Sequence, residues 1–116
     1  MRKKEKFFTS TLTQLPPEIT TKGRTYDLVC EEFTQDGGGW FYKYVDAKSD
    51  KPDFPVQAGN AHEIYYLCSM GHTKQEAMDD MLERLNTMTE IMTEEDLEKF
   101  WKEWDEFMNK KKKNKK

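Results

Sequence analysis

Four side chains have the chemistry of a metal site. Cys30, His62, Cys68 and His72 supply two thiols and two imidazoles, the donor set of a tetrahedral zinc centre. Their spacing argues against one: structural sites draw ligands in close pairs, whereas Cys30 stands alone and the other three run along and beyond one strand-like stretch. They read instead as two buried thiols and two ordinary histidines, so no metal is expected. Cys68 and His72 have the identities of a nucleophile and its base, but that chemistry needs hydrogen-bond contact and usually a third orienting group. Ser69-Met70-Gly71 separates the pair. Carboxylates adjoin at Asp79-Asp80 and Glu94-Glu95-Asp96; on helix faces without a cleft to shift their pKa they are solvated surface. Gly37-Gly38-Gly39 is a turn, since no helix follows whose N-terminus could hold a phosphate. The expectation is a protein with no enzymatic activity and no cofactor.

Binding chemistry is better represented. Leu97, Phe100, Trp101, Trp104, Phe107 and Met108 recur at helical spacing and form an apolar stripe. Tryptophan is enriched at interface hot spots, so this stripe is either core, a dimer seam or a helix offered to a partner protein. Trp40, Trp101, Trp104 and Phe107 are the expected partner contacts. A second set, Tyr42, Tyr44 and Tyr65 with Lys111 and Lys112, could stack and neutralise single-stranded nucleic acid. Arginines are few and the helices acidic, which weighs against a phosphate partner.

The elements that must position these residues are legible in outline. Ile19-Thr20-Thr21, Lys22-Gly23 and the run from Arg24 to Phe33 predict a hairpin turning at Gly23. Alternation along the second strand sets Tyr26, Leu28 and Cys30 on one face, expected buried, and Val29 and Phe33 with Asp27 and Glu31 on the other. Thr34 to Gly39 predicts a turn into Trp40–Val45, which pairs back antiparallel. Residues 46–60 read as a long loop containing Pro52, Pro55 and Gly59. A strand from Glu63 to Met70 then passes through Gly71, suited to a positive-φ turn, into a helix from Lys74 to about Thr87. Thr73 and Glu76 have capping-box spacing, and Met78, Met81, Leu82, Leu85 and Met88 form its apolar ridge. Thr93 caps a second helix with acids in its first turn. The predicted fold is α+β: a three- to four-stranded antiparallel sheet in β-β-β-β-α-α order, one helix packed on one face and a second, amphipathic C-terminal helix.

Composition bounds this reading. With 116 residues, a 35 % hydrophobic share, 35 % charged and 13 % aromatic, the chain predicts a small aromatic core under a very polar surface. Residues 1–15 read as a flexible basic segment, 16–108 as one domain and 109–116 as a disordered lysine tail. The net charge of −3 hides segregation: Glu63 to Met108 holds thirteen acids against four bases, a balance of −9, while both ends are basic. The lysine run is expected to serve solubility and helix-end electrostatics. No apolar run approaches the roughly 20 residues that span a bilayer, and Phe7-Phe8 is followed at once by Thr9-Ser10-Thr11 rather than by an apolar signal core. Cytoplasmic placement, reduced thiols and no membrane partner are the expectation.

The hairpin with a Gly-rich turn, the further strand and Gly71-x-Thr73-x-x-Glu76-Ala77 opening a helix, over about Tyr26 to Leu85, resemble HicB-like antitoxins. The resemblance implies a partial RNase H-like domain that binds and blocks a HicA-type RNA-cleaving toxin. The family's Pro-Asp-Leu-Pro-Gly is absent, with only Pro52-Asp53-Phe54-Pro55 nearby, and an acidic aromatic helix stands where a DNA-binding element is often found. The overall look is also similar to uncharacterised small proteins of bacterial phages and mobile elements, which often act by binding another protein. Sequence alone thus leads to a small non-catalytic protein-binding or regulatory module whose partner is another protein or a second copy (homodimer), through the aromatic helix, a sheet face or the edge strand 19–21. Single-stranded nucleic-acid binding is the alternative.

Overall fold

A computed structural model describes residues 5–60 and 63–113, with side chains to Lys110. It is an α+β fold with two antiparallel sheets and two helices. Strand β1 (Glu18–Thr21) turns through Lys22 and Gly23, both at positive φ (53° and 75°), into β2 (Arg24–Phe33). Paired positive φ values match the twist of a two-residue hairpin. A short 3₁₀ turn (Gln35–Gly37) leads to β3 (Gly39–Val45), which pairs antiparallel with β2.

The predicted 46–60 loop is shorter than expected, because Gln57–Asn60 forms strand β4. The predicted strand from Glu63 to Met70 is also two strands. β5 (Glu63–Tyr66) pairs with β4, whereas β6 (Cys68–Gly71) pairs with β3. Leu67, fully buried, is the switch point: its N–H donates to the Val56 carbonyl at 2.8 Å and its carbonyl accepts from Tyr44 N–H at 3.3 Å. The junction gives each of these backbone groups a partner as the chain changes sheet. Helix α1 (Lys74–Thr87) follows, then β7 (Glu90–Met92), which the sequence did not suggest, and helix α2 (Glu94–Lys113). The sheets run β1-β2-β3-β6 and β5-β4-β7. Helix α2 takes in positions 109–113, where the sequence reading began a tail.

Helix α1 starts as expected: Thr73 Oγ1 accepts from Glu76 N–H at 3.1 Å, and Glu76 reaches back to His72 N–H at 3.2 Å. Gly71 is corrected. It is not among the positive-φ glycines; it lies in β6, where an added Cβ would stand 2.6 Å from Ala77 N and 2.7 Å from Glu76 Cβ. Close approach of the helix, rather than a turn, demands glycine there. Ala77, Met81, Leu85 and Met88 are fully buried and meet Tyr42, Tyr44 and Leu67 in one core, so the predicted ridge lies on the sheet.

Residues 5–15, which carry no periodic signal, pack on this core through Phe7, Phe8, Leu12 and Leu15. Phe7 N–H donates to the Met88 carbonyl at 3.0 Å, and Asn86 exchanges hydrogen bonds of 2.7 and 3.1 Å with the Leu12 backbone. No helix among the described residues is long and apolar enough to cross a membrane.

Candidate protein-docking site

Helix α2 is secured at one end. Thr93 Oγ1 accepts from Asp96 N–H at 3.2 Å while the Asp96 carboxylate accepts from Thr93 N–H at 3.1 Å, a reciprocal cap with aspartate in the glutamate role. Lys22, set at the β1–β2 turn, donates to Asp96 and, at 3.1 Å, to the Ile91 carbonyl. Arg24 stands 3.5 Å from Asp46 and 3.6 Å from Glu95. The Lys22 ammonium, followed by the Thr93 N–H, holds the Asp96 carboxyl down at about 2. The hairpin turn is thus an electrostatic clamp on the first turn of α2. Leu97, half-buried, lines an open cleft beside it with Tyr26, Val56 and Met92.

Beyond this clamp the helix is open. Every residue from Trp101 to Lys110 is exposed, and the three predicted contacts on this helix stand half in solvent: Trp101 at 53 %, Trp104 at 49 % and Phe107 at 54 %. Phe100 is half-buried and Met108 exposed. Phe100 meets Trp101 edge-on at 5.1 Å, and Trp104 and Phe107 lie 6.1 Å apart. Phe100, Glu103, Trp104 and Phe107 line a shallow groove along this face. The arrangement is a row of large apolar rings standing largely in solvent, a surface that a partner protein could desolvate.

The other predicted residues are scattered. Trp40 is half-buried against the core under Lys74, whose Nζ lies 5.4 Å from its ring. It sits at the opposite end of the β2–β3 hairpin from the Lys22 clamp, so the sequence-predicted quartet is not one patch. Tyr42 and Tyr44, proposed for base stacking, are corrected: they are 4 % and 0 % exposed and their rings belong to the core. Burial raises the pKa of both phenols, and Tyr44 Oη donates to the Pro16 carbonyl at 2.6 Å. Tyr65 is half-buried and its phenol is raised by burial too. Lys111 and Lys112 are helical, and their side chains lie outside the described residues.

The candidate metal ligands diverge as well. Cross-strand partners share a sheet face. Cys30 opposes Tyr42, which opposes Ser69, so this row faces α1, where the buried Ser69 hydroxyl donates to the Ala77 carbonyl at 2.8 Å. Cys68 lies one position along, in the Val29–Lys43 row of the outer face. The two thiols therefore point to opposite sides of one sheet. His62 lies outside the described residues, and no cluster of three or more His, Cys, Asp or Glu is placed for a metal among those described. Asp79 and Asp80 accept from Gln75 and Arg84 along the exposed side of α1.

Sequence reasoning missed two features. Lys22 gave no sign of anchoring a helix some seventy positions away, because nothing local marks that contact. The outer sheet face also carries Phe41 and Met70 (65 % exposed), with Phe33 6.3 Å from Phe41; strict alternation from Trp40 would have placed Phe41 there. Comparison with known proteins found no matching family model, no matching curated protein and no matching solved structure.

Proposed function

We propose that this chain is a small, non-catalytic protein-binding module of the cytosol whose docking element is the aromatic face of α2. One observation carries the reading: a helix held through its first turn by Lys22 and Arg24 presents Trp101, Trp104, Phe107 and Met108 to solvent along one face. A contiguous exposed apolar patch rimmed by charged residues marks an interaction site. The two free cysteines fit a reducing compartment. Burial of Tyr42 and Tyr44 removes the stacking platform that a single-strand binder would need, and it weighs for the protein partner.

Site-directed photo-crosslinking in the cells that produce the protein tests this. A photoreactive residue at position 104 should form an adduct with a protein, whereas one at Glu106, on the opposite side of the helix, should not. Equal labelling from both positions, or none from 104, contradicts the reading. Adducts from Met70 alone would move the docking surface to the outer sheet face, nearer to what the antitoxin-like resemblance of residues 26–85 implies.

A further inference from the structure

We infer that the occupant of the α2 face is α2 of a second copy, laid antiparallel. This rests on the docking reading above and names its partner. The exposed stripe runs Phe100, Trp101, Trp104, Phe107 and Met108, the three-and-four spacing that lets two helices share a seam. Its centre is Trp104. A two-fold axis there sets each Trp101 against the other copy's Phe107 and each Phe100 against its Met108, so the same patch serves both chains.

Charge selects the direction. Positions 94–106 carry seven acids and two lysines, a balance of −5, whereas positions 110–113 are four consecutive lysines. Antiparallel packing about Trp104 lays the lysine end of each helix alongside the acidic turns of the other, and it brings Glu98 and position 112 of the second copy together on one flank of the seam. Parallel packing would stack lysines on lysines and acids on acids, which is repulsive. The opposed helix dipoles favour the same arrangement. Geometry permits it too: the body is clamped to the N-terminal turn, and a 20-residue helix extends about 30 Å from it, so the two bodies sit at opposite ends of the pair. Trp101, Trp104 and Phe107, each about half open, with the less exposed Phe100 and Met108, offer roughly 400–500 Å² per copy, which places the pair at the weak end of specific interfaces.

Sedimentation velocity on the full chain, from about 1 μM to several hundred μM, tests the inference. The wild type should pass from monomer to dimer across this range, and Trp104→Glu should stay monomeric with an unchanged melting temperature. Glu98→Lys or Lys112→Glu alone should weaken the dimer about threefold or more, and the double exchange should restore it. A wild type that remains monomeric throughout overturns self-pairing; crosslinking from position 104 to a different protein would still uphold the docking reading. A dimer that survives Trp104→Glu, or an exchange that fails to restore it, overturns the seam or its direction respectively.

Discussion

At the scale of single residues, Asp96 and Gly71 matter for different reasons. Asp96 ties β1–β2 to α2, and its partners hold it at about 2 against an ordinary 3.8. A depressed folded value means that this contribution is complete above about pH 3.8 and is lost as pH falls toward 2. Melting temperatures of the wild type should therefore drop more steeply over that window than those of Asp96→Asn; parallel curves would show that the clamp is idle. Thr93→Ala, which removes the hydroxyl that accepts from Asp96 N–H, should cost about 1 kcal/mol in denaturant unfolding. Gly71→Ala drives a methyl to 2.6 Å from Ala77 N, so urea titration should show a loss of about 1–3 kcal/mol, where a mere turn glycine would lose less. The sequence marked both positions as special: Thr93 with its acids was readable because caps act over three residues. Gly71 was read for the wrong reason, because the neighbour that forbids its Cβ arrives from the following helix.

At the scale of elements, the legible parts are those whose signal is local. The two hairpins, α1 and α2 appear where turn residues, caps and apolar periodicity place them. The strands missed or merged depend on distant partners. β4 is Gln-Ala-Gly-Asn, with no branched or aromatic residue, and it becomes a strand only because β5 and β7 flank it. β7 has three residues. The division of 63–71 at Leu67 follows from the Val56 and Tyr44 backbone bonds, which no window of sequence contains. The helices, both amphipathic in sequence, diverge in use. Met81→Ala in the α1 ridge should cost about 2–5 kcal/mol by chemical denaturation, whereas Trp104→Ala, of larger volume but on the open face, should stay within about 0.5 kcal/mol. Equal penalties would mean that α2 is core after all.

At the scale of the whole molecule, one core joins both sheets and α1, with Leu67, Tyr44 and Ile91 at 0 % exposure, while α2 projects from it and helps stretch the longest dimension to 53 Å. The candidate site was legible as three residues on one helix and illegible as a setting, since whether an apolar stripe is covered depends on how many other apolar faces the fold must bury. Here Phe7, Phe8, Leu12 and Leu15, from a segment with no periodic signal, add apolar cover to the core. The decisive measurement is thermal unfolding of the full chain at low micromolar concentration, with Trp101, Trp104 and Phe107 all changed to glutamate. An open docking face predicts a melting temperature within about 4 °C of the wild type, less than about 1 kcal/mol for a chain of this size. A fall of more than about 10 °C would place those rings in the folded core and contradict the account.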